Sequence, residues 1–371
     1  MIPLEDEDAI RSGLSPLLIA TFLLLAILGG VAGWVMLGDA GGSAPSRVSL
    51  SLDDSASGQV EELMSPPAAE TAAPAPAETA KPAATPAPAS RRVLPVTVSE
   101  DGKISLAPAP DPALVEQTVV GPLPRIAEDG ARVWHVYSHP APPADGRPKI
   151  ALVIGGMGLS EAPTRLAVQR LPSAVSLAFT PYGENLQDWV AQARAAGHEV
   201  LLELPMEPYD YPENDPGPHA LLTSLSAAEN TDRLEWIMSR FSGYAGVINY
   251  FGGKFSTSEA ALGPVMAELK GRGLMIVDNQ SASRSRISDI ANQINMPFVA
   301  AATQVDKDLT SAGIDAQLSE LEKKALAEGF AAGVGAPLPL TIERIALWAE
   351  QLKARGINLV PVTALIQANR E

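Results

Sequence analysis

The sequence predicts an α/β domain of repeated strand–helix units, wound either as an open doubly wound sheet or as a (β/α) barrel. Three observations predict it. Short apolar runs alternate with amphipathic stretches from Ile150 to the C-terminus. Helix start and stop signals fall between those runs. The alternation recurs seven or eight times, which favours the barrel, because alternating strands and helices pair their strands in parallel.

Taken in order, the expected strands are Ile150–Ile154, Val175–Phe179, Glu199–Leu204, Gly246–Asn249, Leu274–Asp278, Pro297–Ala301, Ala331–Val334 and Ile357–Val362. Each is a short apolar run. The expected helices are Ala162–Gln169, Asn185–Ala196, Ala227–Phe241, Ser258–Arg272, Ile314–Glu328 and Thr341–Arg355. Ser226 and Glu229 form a capping-box pattern, and Gly197, Gly273 and Gly356 stand where helices end. Upstream, Ala131–Tyr137 has the content of a strand, Arg92–Val98 alternates weakly and Glu100-Asp101-Gly102 reads as a turn. Residues 93–147 are expected to be a lead-in packed on the edge of a domain spanning 148–371.

The N-terminal part follows different rules. After a tail of residues 1–15, Pro16–Gly38 is an uncharged apolar run of roughly 23 residues, about 35 Å as a helix and enough to cross a bilayer core. Trp34 lies near its far end, where an interfacial indole is expected. A cleaved signal peptide competes, but such segments have shorter apolar cores behind a basic leader. Here the leader is acidic, with Arg11 its one basic residue, and Gly38-Asp39-Ala40 is a poor cleavage site. A retained transmembrane anchor is therefore expected, with the remainder of the chain outside an inner membrane, in the periplasm. Residues 39–92 are dominated by Ala, Pro, Ser and Thr, which build no packed core, and are expected to be a disordered spacer.

Composition excludes several function classes. The formal net charge is −16 with no basic stripe, which argues against nucleic-acid binding. The absence of Cys removes disulfides, thiolate metal sites and a Cys nucleophile. Gly155-Gly156-Met157-Gly158 lacks the third glycine that a dinucleotide fingerprint needs.

In a barrel, chemistry sits on the loops that follow the strands. Those loops contain Tyr182, Glu207, Tyr209, Tyr211, His219, Asn249, Tyr250, Phe251 and Lys254, with Glu203 and Asp278 at strand ends. Tyrosines with an apolar face and polar tip suit stacking on a sugar. Tyr182, Glu207, Tyr209, Tyr211, His219, Asn249, Tyr250 and Lys254 are the candidate ligand-binding residues. Glu203, Glu207 and Asp278 are the candidate catalytic carboxylates, and together they could hold a hard cation such as Ca²⁺ or Mg²⁺. Competing structural roles are a loop carboxylate for Glu207, a cap for Asp278 and core positions for Trp236, Trp348 and His198.

The segments IALVIGGMGLS, VSLAFTPYGENL, AGHEVLLELPMEP, DPGPHALL, RGLMIVDNQS and GINLVPVTAL occur in that order from about Pro148 to Ile366. This stretch resembles the divergent polysaccharide deacetylase family, relatives of NodB-type deacetylases. The resemblance implies a distorted (β/α) barrel and a metal-dependent deacetylase site. It also implies an Asp-Asp pair at Gly155-Gly156 and His at Glu203, at Tyr250 and at Ala336, and none of these is present. Glycine offers neither a general base nor a ligand. Three readings follow. The first is an envelope protein that binds a cell-wall or surface polysaccharide, of peptidoglycan type for instance, without metal-dependent hydrolysis and with no cofactor expected. The second is an active carbohydrate deacetylase with a rebuilt carboxylate site and a divalent metal. The third is a scaffold that binds an envelope protein partner.

Overall fold

The computed structural model describes residues 94–99, 104–140 and 145–368. The expected anchor at 16–38, the spacer at 39–92 and the turn at Glu100-Asp101-Gly102 lie outside the described residues. Among the described residues, no helix is long and apolar enough to cross a membrane.

The lead-in forms two small antiparallel pairs, β1 (Val96–Val98) with β2 (Ile104–Leu106) and β3 (Val115–Thr118) with β4 (Gly121–Pro124). The expected strand at Ala131–Tyr137 is instead a single helical turn, α1 (Val133–Val136). Val133 and Val136, three residues apart, turn together into the main core, and Trp134 N–H donates to Gly273 O. Packing overrides the residues' strand preference, because this segment has no sheet edge to join. Leu114, Leu123 and Tyr137 are buried in the same core, and Arg194 donates to the carbonyls of Ala107, Tyr137 and Gly243. The lead-in is thus part of the packed interior.

The main body alternates β5 (Lys149–Met157), α2 (Glu161–Arg170), β6 (Ser176–Phe179), α3 (Leu186–Ala195), β7 (Val200–Met206), α4 (Ala227–Met238), β8 (Gly246–Phe251), α5 (Glu259–Gly271), β9 (Met275–Asp278), α6 (Ile287–Gln293), β10 (Phe298–Ala300), β11 (Thr303–Gln304), α7 (Ser311–Glu328), β12 (Phe330–Gly335), α8 (Pro339–Leu352), β13 (Asn358–Leu359) and α9 (Thr363–Ala368). The capping box at Ser226 and Glu229 is present. The strands pair in parallel in the order β10-β9-β8-β7-β6-β5-β12-β11, with β13 also on β5. Only two residues separate the edge strands β10 and β11. Ala301 N–H donates to Asp278 O and Ala302 N–H to Ala332 O, so one short run of chain serves both edges of the sheet and curls it on itself.

Alternation along each strand divides the core in two. Outward residues such as Ile150, Leu152, Leu202, Leu204, Val247 and Ile276 meet the helices. Inward residues, among them Ala151, Val153, Ala178, Leu201, Ile248, Val277, Val299 and Ala332, form a second cluster with Val360, Val362, Leu365 and Ile366. The small inward side chains leave room for that C-terminal segment, which plugs the end where the strands begin. The opposite end, where they finish, carries the loops.

Candidate functional site

A cavity of about 410 Å³ opens at the C-terminal end of the sheet. Its apolar walls include Val153, Ile248, Phe251, Val334 and Pro337, and its polar lining is Glu203, Asn249, Tyr250, Asn279, Ser281 and Gln304. Glu203 points inward from β7 because it follows Leu201 by two residues. It is 6 % exposed.

Glu203 and the Gly155-Gly156 pair fit one another. The pairing of β5 with β6 shifts register between Ile154 and Met157, a local irregularity that places these two glycines beside Glu203. Gly156, at φ +70°, donates its N–H to Glu203 Oε1 at 2.7 Å. At Gly155, any Cβ would run into the same oxygen. The Glu203 carboxyl therefore fills the space in which a side chain at position 155 would begin. Its second oxygen, Oε2, makes no hydrogen bond among the described residues, and the residue lines the cavity. Burial among apolar walls raises the Glu203 pKa to about 7, against the pull of the Gly156 hydrogen bond.

Tyr250 extends from β8 at the cavity, 41 % exposed, its ring edge-on to Phe251. Burial raises its pKa, and the charge of Glu203 adds to that rise. Asn249 lines the cavity, but its amide is engaged: Nδ2 donates to Phe251 O, Asn279 Oδ1 and Ser281 Oγ, and Oδ1 accepts from Asn279 N–H. It clasps the β8 and β9 loops.

The three candidate carboxylates do not come together. Asp278 follows Ile276 by two residues and so points outward, where Gln280 donates to both its oxygens. Burial raises its pKa against hydrogen bonds from Ser285 and Gln280. It caps the loop that follows β9. Glu207 lies beyond the end of β7 and accepts from Thr223 N–H, Thr223 Oγ1 and Lys254 Nζ, the last at 2.8 Å. Although burial opposes ionisation there, those bonds outweigh it and hold its pKa below the usual carboxylate value. Lys254 is spent in the same contact.

The other candidates sit away from the cavity lining. Tyr182 Oη accepts from His219 N–H, and the His219 ring stacks on Trp236 at 3.5 Å. The Tyr209 ring covers Gly253 and its hydroxyl is 3.4 Å from Thr257 Oγ1, while Tyr211 is half-buried in the loop that precedes His219. His198 is fully buried with both ring nitrogens on backbone carbonyls, a structural histidine. Asn279, Ser281 and Gln304 belong to the cavity and were not among the expected residues. Counting alternate positions along β9 from inward Val277 identifies Asn279, rather than Asp278, as the residue facing the cavity. Gln304 gives no such signal, because β11 is two residues long.

The metal implied by the family resemblance does not suit these residues. The cavity offers one carboxyl and no imidazole. Among the described residues, no group of three or more His, Cys, Asp or Glu side chains could hold an ion. Divalent cations require several charged or imidazole donors at one point.

Comparison with known proteins gives consistent results. The family model described as divergent polysaccharide deacetylase matches residues 152–366. The uncharacterized protein YibQ of Escherichia coli K12 is 23% identical over 221 residues, 60% of this chain and 66% of that protein, just under two thirds of its length. An uncharacterized Haemophilus influenzae protein is 23% identical over 194 residues, covering 52% of this chain and 68% of that one. The crystal structure of an uncharacterized protein from Agrobacterium tumefaciens C58 superposes with a TM-score of 0.65 at 39% identity, over 66% of this chain and 99% of that chain.

Proposed function

The chain belongs to the divergent polysaccharide deacetylase family, and on that premise we propose that it is a membrane-anchored envelope protein whose distorted barrel binds glycan without metal-dependent hydrolysis. The apolar run at 16–38 supports the anchor and the periplasmic placement. The observation that carries the binding function is the constitution of the cavity. At the strand-end position where barrel chemistry resides, it holds one buried carboxyl, an accessible tyrosine and amides already paired with each other. Such a lining recognises a neutral polar ligand, with Tyr250 available to stack on a pyranose ring. It lacks the concentrated charge that would gather a metal and activate water.

The test uses the purified full chain. Calorimetry against a panel of N-acetylated and non-acetylated polysaccharide fragments is expected to find binding, while elemental analysis finds no stoichiometric transition metal and no acetate is released. Glu207→Ala and Asp278→Ala are expected to change affinity less than about twofold, since neither residue lines the cavity. Stoichiometric zinc together with acetate release would overturn the reading in favour of an active deacetylase. Absence of binding across the whole panel would overturn it as well.

A further inference from the structure

Glu203 combines features that a structural carboxyl lacks. It is enclosed, one oxygen is fixed by Gly156 N–H, and the other faces a cavity of about 410 Å³ with no protein partner among the described residues. That volume is within the range of small-ligand sites. An oxygen that the fold leaves without a protein partner beside a cavity is open to the polar group of a ligand. With Oε1 already accepting, Oε2 is where a proton on this carboxyl would point into the cavity.

We infer that Glu203 binds in its protonated form, donating its carboxyl O–H to an acceptor oxygen of a neutral N-acetylated sugar, so that the domain takes glycan at mildly acidic pH and releases it as the carboxyl ionises. This inference rests on the glycan-binding reading above. The surroundings of Glu203 contain no competing switch. From β5 it is faced by the backbone of Gly155 and Gly156, from β8 by Ile248 and Tyr250, and from β12 and its loop by Gly335, Ala336 and Pro337. Tyr250 is the one titratable side chain in that set. Asp306 stands behind Gly335, its carboxylate taken by Ala336 N–H, Thr341 Oγ1 and Gln304 Nε2. On the same strand segment, Glu207 is taken by Thr223 and Lys254, and Glu199 lies at the other end of the sheet. No cationic side chain lines the cavity to hold Glu203 ionised. Burial places the titration of this carboxyl at about 7, where a modest pH change alters its charge.

The experiment titrates the full chain with the tetramer of N-acetylglucosamine by calorimetry at pH 5.5 and 8.5. Only the protonated fraction is competent, so affinity is expected to be about thirtyfold weaker at the higher pH. Glu203→Gln, whose amide donates at any pH, is expected to bind as well at pH 8.5 as the natural chain does at 5.5. The Glu203 carboxyl carbon, followed by ¹³C NMR in the unliganded natural chain, is expected to titrate near neutrality and requires no variant to fold. Equal affinity at both pH values, or a carboxyl that titrates in the ordinary range, would overturn this inference and leave glycan binding standing. Tighter binding of the N-acetylglucosamine tetramer at pH 8.5 than at pH 5.5 would overturn it too, by showing that the ionised form is the binding one. Failure of every glycan at both pH values would instead overturn the reading on which it rests.

Discussion

Two glutamates of one strand region, four positions apart, face the two ends of the same sheet. Glu199, at the start of β7, accepts from Ser176 Oγ, His139 N–H, Thr363 N–H and Thr363 Oγ1. Four donors from three separate segments make it a pin that holds the lead-in and the C-terminal plug onto the sheet. Glu203, at the other end, accepts one bond and turns its second oxygen to a cavity. Burial raises the pKa of both. Burial therefore does not separate the two carboxyls; the tally of satisfied lone pairs does.

The comparison breaks if the two residues respond alike. Glu199→Ala leaves several buried donors without a partner and is expected to cost about 3 kcal/mol or more in urea unfolding. Glu203→Ala at pH 8, which abandons a single bond and removes a poorly solvated charge, is expected to cost under about 1 kcal/mol. Equal losses would show that Glu203 is a second pin.

The next effect is on pH dependence. A carboxyl whose folded pKa is raised contributes stability that is fully present below its unfolded pKa and is lost as pH rises through the folded value. For Glu203 that window runs from 4.5 to about 7. The natural chain should lose about 3 kcal/mol across it relative to Glu203→Gln. Glu199 is shifted in the same direction, but it is present in both proteins and cancels in the difference. Parallel stability curves for the two proteins would remove the distinctive titration from Glu203.

The smallest effect sharpens the fit at Gly155. Gly155→Ala forces the Glu203 carboxyl from Gly156 N–H and is expected to cost about 1 kcal/mol, together with a loss of glycan affinity. In the background of Glu203→Ala the same change should be nearly silent, because the obstructing oxygen is gone. Additive effects in that cycle would show that the two positions are independent.

Much of this was legible in the sequence. The eight expected strands from Ile150 onward and the six expected helices all appear, displaced by a few residues at their ends, because apolar period and caps are local signals; the expected strand at Ala131–Tyr137 does not. α6 and α9 were not anticipated, being short helices whose amphipathic pattern is too brief to read. Of the candidate residues, Glu203, Asn249 and Tyr250 line the cavity. Asp278, Glu207 and most of the tyrosines do not, because position after a strand gives the end of the sheet but not the direction of the side chain.

The sequence by itself determined the repeated strand–helix order and the family. Each depends on residue type and spacing along the chain. Only the tertiary structure decided that Glu203 occupies the room left over Gly155 and that Asp278 faces away from it. Those outcomes depend on strand parity, on a register shift in β5 and on which donors the fold brings to each oxygen. The last two are relations between distant segments that no local pattern carries, and parity becomes usable only once one residue of the strand is known to face inward.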